Sequence, residues 1–290
     1  MPPLSILATA CCFLFVPANR PERLGKALAC GDGAVIVDLE DAVAPADKIT
    51  ARMQWVQAFA SVGESDRARL LVRINAAGTP WHEDDLAMVR QITAQGLGGV
   101  AVPKAESAAQ LAHVLAHMVM AAEARVLVPL IESARGMGAL DELANCPGVL
   151  RLALGHLDLQ ADMGMRCDVD EAELQSARFA LVAASRRADL ASPVDGVTVA
   201  IGDTARLQAD TARSRRFGFG AKLCIHPAQL ATIAAVFAPT QDELEWAQRV
   251  MAAQARAAGA AFSLDGRMVD APVVLLAQQT LARTHHTKLA

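Results

Sequence analysis

The chain lacks the spacings that would mark a disulfide-built or metal-knuckle protein. Its 290 residues contain 6 cysteines and no CxxC pair. They stand at Cys11, Cys12, Cys30, Cys146, Cys167 and Cys224, in a chain long enough to bury a core without cross-links. They read as free thiols in a reducing cytoplasm. Dense Lys/Arg runs are also missing. With 27 Lys+Arg against 31 Asp+Glu the formal charge is −4, which argues against a nucleic-acid binder. No apolar run is long enough to span a bilayer, so no membrane role is expected. Leu4 to Val16 comes nearest, but no Lys or Arg precedes it, and it reads as a buried strand rather than a leader. The sequence has no GxSxG elbow, no P-loop and no GxGxxG, which removes the usual serine-hydrolase and nucleotide readings. Gly96-Leu97-Gly98-Gly99 has the wrong spacing for a dinucleotide turn and reads as a loop feeding a strand.

What is present is an apolar chain (53%, mean hydropathy +0.27) built on an alternating plan, which excludes disorder. Eight short apolar runs read as strands: 13–17, 34–39, 70–74, 99–102, 125–131, 150–154, 197–201 and 221–225. Most are continuous and rich in β-branched residues, as when both faces of a parallel sheet are covered. Helical spacing fills the gaps, over 20–29, 84–94 and 107–122, with Ser107 as a cap. Eight strand–helix alternations with no linker predict a (β/α)8 TIM barrel over residues 1–238; a doubly wound sheet is the alternative. Residues 239–290, with helices over 241–258 and 271–283, read as a C-terminal helical extension.

Chemistry in such a barrel gathers at the C-terminal ends of the strands. Asp38, Glu40 and Asp41 stand at or just past the end of the second run, Arg73 and Asn75 at that of the third, and Lys104 past the fourth. Glu132 follows the fifth, His156 and Asp158 the sixth, and His226 the eighth. Any one of these acids could be a helix cap, but acids converging from three strands upon an arginine are harder to explain that way. Glu132 and Asp158 end adjacent strands, roughly 5 Å apart, a separation that suits one hard cation such as Mg2+. Zinc is not expected, for want of a Cys/His cluster. Arg73 beside such an ion would suit a carboxylate or a developing enolate oxygen. Lys104 reads as structural rather than as a Schiff-base lysine.

At this point the motifs resemble those of the citrate lyase β-subunit-like branch of the HpcH/HpaI aldolase superfamily. The resemblance rests on Phe15 to Arg23, Val37 to Val43, Val72 to Asn75 and Pro129 to Gly136. It continues through Gly155 to Asp158 (with Asp162 and Gly164), Lys222 to Pro227 and Gly266 to Pro272. It covers nearly the whole chain, and that family's fold is a TIM barrel.

The resemblance implies a Mg2+-dependent carbon–carbon lyase acting on 3-hydroxyacyl-CoA thioesters of the citryl, malyl or citramalyl type. By that likeness Glu132 and Asp158 hold Mg2+, and Arg73 contacts the substrate and the enolate oxygen. Asp41 with Glu40 holds water beside the metal, and Arg20 and Lys26 face the CoA phosphates. Asp270 enters the active site of a neighbouring subunit as acid/base, in a homotrimer or hexamer. A thioesterase or malate-synthase-like reaction in the same site, and a subunit of a multi-component citrate lyase working on carrier-bound acyl groups, are the alternatives. His156 departs from the residues most expected at its position, which leaves the acyl preference open.

Overall fold

The computed structural model describes residues 6–31, 33–257 and 261–283, in two compact units, 1–234 and 235–290. The first is a closed barrel of eight parallel strands in sequential order: β1 (Cys12–Pro17), β2 (Ala34–Asp38), β3 (Leu70–Arg73), β4 (Gly99–Val102), β5 (Leu127–Ile131), β6 (Ala153–Leu154), β7 (Val194–Asp195) and β8 (Ala221–Cys224). β1 pairs with both β2 and β8, which closes the ring.

The alternation of side chains along a strand decides what faces the barrel axis. One apolar cluster takes Phe13, Ile36, Leu71, Ala101, Leu130, Ala153, Val194 and Leu223, one residue from each strand. This is the barrel interior. Two residues further along β2, β3 and β5, the next inward positions are Asp38, Arg73 and Glu132. The packed interior therefore ends in charge at its C-terminal mouth.

The other end is closed by the segment expected to be strand. Residues Ile6–Thr9 form a helical turn, and only Cys12–Pro17 is β-structure; Leu4 and Ser5 lie outside the described residues. Leu7 plugs the interior, and the buried Arg151 guanidinium donates to the carbonyls of Leu7 and Ala10. It also stacks 5.2 Å from the Phe13 ring. An apolar turn whose end carbonyls are held by an arginine satisfies both burial and hydrogen bonding without extending the strand.

Seven strand expectations fall on observed strands, with ends differing by at most three residues. The seventh does not. The run Val197 to Ile201 is a loop, and the strand is Val194–Asp195. In the loop Val199 and Ile201 are 61% and 47% exposed, while Asp195 is fully buried. Asp195 is admitted to the sheet because Arg178 Nε, the Ser214 hydroxyl and the Gly196 N–H all donate to it. Tertiary partners override the β-branched run. Gly196 therefore follows its strand instead of preceding it. A Cβ there would lie 2.0 Å from His156 Nδ1, so the missing side chain makes room for that ring.

Helices cover the barrel's outside, including His82–Thr93 and Ala108–Ala116. Ser107 caps the second as expected, in a reciprocal box with Gln110. The second unit has its own small core. Helices Gln241–Ala257 and Ala271–Ala282 pack Ala247, Val250, Val274 and Ala277 with Val269 of a hairpin (Phe262–Leu264 and Arg267–Val269). Its Asp265-Gly266 turn has φ +53° and +74°, a pairing suited to a two-residue hairpin. Ala258, expected in the first helix, lies outside the described residues. All 6 cysteines are free thiols. Among the described residues no helix is long and apolar enough to cross a membrane.

Candidate active site

Arg73 is the fixed centre of the mouth. Strand register places it directly across from Asp38. Its Nε and Nη2 donate to the two Asp38 oxygens at 2.7 and 2.6 Å, a bidentate pair with both partners buried. Nη1 reaches Asp41 Oδ2 at 3.1 Å and lies 3.0 Å from Glu40 Oε2. The guanidinium also lies 4.8 Å from the Phe15 ring centre, so it is held by charge, planarity and a π face together. Asp38 in turn accepts from the N–H groups of Glu40 and Ala42, which folds the loop after β2 back over the barrel. The buried ammonium of Lys48 fastens that loop by donating to the Leu39 and Glu40 carbonyls, each at 2.8 Å.

Glu132, one step beyond β5, is 3% exposed and accepts from the Lys104 N–H at 2.6 Å. Lys104 has φ +45°, a conformation uncommon for a residue with a Cβ, and that turn aims its amide at the carboxylate. Across β6, Gly155 is indispensable. A Cβ there would stand 2.3 Å from Glu132 Oε2, so only glycine lets this carboxylate occupy its place. The helix His156–Asp162 starts at Gly155 and carries Asp158 in its first turn, with 39% of that side chain exposed. The Lys104 ammonium lies 3.6 Å from Asp158 Oδ1 and 3.9 Å from Glu40 Oε1.

The electrostatics show what is in short supply. Burial pushes Glu40 up to about 8, with the Glu132 and Asp41 charges adding and Arg73 and Lys104 opposing. Burial likewise raises Glu132 to about 7, and the Asp158 charge contributes. Desolvation disfavours the Arg73 and Lys104 cations, but surrounding carboxylates outweigh it and hold both charged. Five acids (Asp38, Glu40, Asp41, Glu132, Asp158) thus face three cations, and the Lys48 ammonium is already committed to carbonyls. Glu40 Oε2 is buried without a hydrogen-bond partner. Two carboxyls that burial holds against ionising, an all-oxygen donor set and a buried carboxylate oxygen without a hydrogen bond fit one hard divalent cation, whose charge would let both acids ionise.

The structure brings Arg73, Glu40, Asp41, Glu132 and Asp158 together as the sequence predicted. Arg20 and Lys26 are both exposed, Arg20 just after β1 and Lys26 on the helix Leu24–Ala29. Asp270, in the second unit, caps the helix Ala271–Ala282 through the Val273 N–H. Sequence reasoning named Asp38 among the strand-end acids but gave it no role, although an acid at the last inward position of β2 was visible. It also assigned nothing to Lys48, whose partners are backbone carbonyls with no sequence signature. Lys104 has a larger place than expected, since both its backbone and its ammonium meet the acids.

A (β/α)8 barrel that gathers a locked arginine and several acids at the C-terminal mouth carries them where barrels of this fold place their active sites. The particular group is also clear: this chain belongs to the HpcH/HpaI aldolase/citrate lyase family, which it matches over residues 12–227. It is 36% identical over 277 residues to a citrate lyase subunit beta-like protein of Mycobacterium tuberculosis (strain ATCC 25618 / H37Rv), covering 93% of this chain and 94% of the relative. It is 34% identical over 279 residues to a (3S)-malyl-CoA thioesterase of Cereibacter sphaeroides (strain ATCC 17029 / ATH 2.4.9), covering 93% of each. The crystal structure of the CitE protein from Mycobacterium tuberculosis in complex with magnesium, acetoacetate and coenzyme A superposes with a TM-score of 0.82. It shares 33% identity, over 96% of this chain and 99% of that one.

Proposed function

We propose that this chain is a Mg2+-dependent carbon–carbon lyase that cleaves a 3-hydroxyacyl-CoA of the citryl, malyl or citramalyl type to a keto acid and acetyl-CoA. The carrying observation is the pairing of Arg73, immobilised by Asp38, with a cation-seeking acid set at the same barrel mouth. The relative named for citrate lyase and the neighbour binding magnesium and coenzyme A support it, and the relative named for malyl-CoA supports the substrate class alone.

In this reading Glu132 and Asp158 hold Mg2+, which supplies Lewis acidity toward the substrate's hydroxyl and carboxylate oxygens. Cleavage moves the C3 hydroxyl proton to a base, breaks the C2–C3 bond and passes its electron pair to the thioester carbonyl as an enolate. A proton then returns to carbon. Arg73 has five N–H donors, and three are hydrogen-bonded to Asp38 and Asp41. The remaining two, on the terminal nitrogens, serve the enolate oxygen in a position fixed before substrate arrives. Glu40 and Asp41 order water at the mouth and receive the hydroxyl proton through it. Asp270 returns a proton to carbon from a neighbouring subunit of a homotrimer or hexamer, and Arg20 and Lys26 meet the CoA phosphates. The protein works in the cytoplasm.

The thioesterase reading is favoured by one specific finding, the (3S)-malyl-CoA thioesterase at 34% identity. Malyl-CoA, citramalyl-CoA and citryl-CoA, each assayed for keto acid and for free thiol, separate the two. Keto acid without matching thiol supports the lyase. Thiol without keto acid makes the chain a thioesterase, and activity only on carrier-bound acyl groups makes it a lyase-complex subunit.

A further inference from the structure

No site for a borderline metal was expected from the sequence, yet His113 and His117 stand four apart, the first on the helix Ala108–Ala116 and the second just past its end. The fold adds what the sequence cannot. In the outer layer, His82 and Glu83 open the helix His82–Thr93, next to His113 of the helix Ala108–Ala116. One ligand atom from each of the three lies within 4.8 Å of the other two, and this is the one such three-residue group among the described residues.

We propose that His82, Glu83 and His113 form a binding site for a Zn2+-class cation that clamps these two helices together. His82 is prepared for the task. Its ring is buried and its Nδ1 lies 2.8 Å from the Asn75 carbonyl, so Nδ1 carries the proton and Nε2 keeps its lone pair. Metal-bound histidines are typically oriented this way by a partner behind the ring. That partner is itself fixed: Asn75 donates through its N–H and Nδ2 to Asp85 at 2.8 and 2.6 Å, and Asp85 accepts from Arg52 at 2.7 Å.

The other two ligands are adjustable. Glu83 and His113 are exposed, and Glu83 Oε1 already lies 3.2 Å from His113 Nε2. The His82 and His113 rings are stacked with centres 6.2 Å apart and planes 28° apart. Tetrahedral coordination with bonds of 2.0–2.1 Å needs ligand atoms about 3.3 Å apart. Rotating two exposed side chains closes the gap while the buried ring stays still. Two imidazoles and one carboxylate, with the fourth position open to solvent water, suit Zn2+, Co2+ or Ni2+ far better than Mg2+.

The test is calorimetric titration of Zn2+ into the full chain, free of any polyhistidine tag, with excess Mg2+ present to occupy hard-cation sites. Co2+ absorption reports coordination geometry. One equivalent of Zn2+ is expected in the wild type and in Glu132→Gln. His113→Ala and Glu83→Gln should each weaken it about tenfold or more. Both positions are exposed, so these variants keep the fold, and their metal-free melting temperatures verify that. Wild type that binds no Zn2+ under excess Mg2+ overturns the proposal. So does loss of Zn2+ in Glu132→Gln with retention in His113→Ala. Loss in His117→Ala with retention in Glu83→Gln also overturns it, because the metal would then belong to the i,i+4 histidine pair.

Discussion

Asp38→Asn is the substitution whose consequences can be worked out furthest. Asp38 is 1% exposed, and its side chain accepts four hydrogen bonds: two from Arg73 at 2.7 and 2.6 Å, and those from the Glu40 and Ala42 amides at 2.9 and 3.1 Å. Asparagine keeps the shape but must turn an NH2 toward two donors. One orientation sets it against Arg73 Nε and the Glu40 N–H, the other against Arg73 Nη2 and the Ala42 N–H. Either way a buried guanidinium loses its principal counter-charge. Breaking a buried pair from one side costs about 3–5 kcal/mol. Glu40 and Asp41 remain beside Nη1, which favours the lower end. In a domain stable by about 5–15 kcal/mol this lowers the melting temperature by on the order of 10 °C. The freed Arg73 no longer aims its donors, so kcat should fall roughly 100- to 1,000-fold, as when an oxyanion donor is removed. Thermal unfolding and steady-state keto-acid release measure both. A variant melting within about 1 °C of wild type with unchanged kcat refutes the view that Asp38 positions Arg73.

Gly155→Ala places a methyl group 2.3 Å from Glu132 Oε2, so it should weaken Mg2+ binding by calorimetry and cut turnover while Arg73→Lys leaves the metal in place. Asp270→Asn should spare metal binding and depress kcat. Mixing its subunits with inactive Arg73→Ala subunits should restore part of the activity if Asp270 serves a neighbour, and no recovery argues that it does not. Asp195 is buried, and Lys222, Arg178 and two hydrogen-bond donors outweigh that desolvation and hold its carboxyl below the ordinary 3.8. A depressed carboxyl contributes stability fully above the unfolded value and loses it as pH falls through the folded one. Acid unfolding below about pH 4 should therefore be flatter in Asp195→Asn than in wild type, as read from urea midpoints.

Much of this was readable from the chain because both signals are local. Continuous apolar runs marked seven strands, and charge at their C-terminal ends marked Arg73, Glu132 and Asp158. Most of the failures share one cause, namely partners distant in sequence. β7 is two residues long, follows Pro193 and contains a carboxylate, and its place depends on Arg178 and Ser214 from two different helices. Asp38 read as one strand-end acid among several until its register with Arg73 made it that residue's partner. Lys48 is held by the nearby Leu39 and Glu40 carbonyls, which carry no side-chain signature, and by the Trp81 ring 5.1 Å away. The start of the N-terminal apolar segment, Ile6–Thr9, is a helical turn, and Arg151, well over a hundred residues away, holds the Leu7 and Ala10 carbonyls there.

The most direct measurement of the central claim is Mg2+ binding by calorimetry alongside keto-acid release for wild type, Glu132→Gln and Asp158→Asn. The account predicts one Mg2+ in the wild type and turnover abolished by chelator. Each variant should lose both metal and activity while its unfolding transition stays cooperative. Full turnover in excess EDTA, or undiminished Mg2+ affinity in both variants, would contradict it.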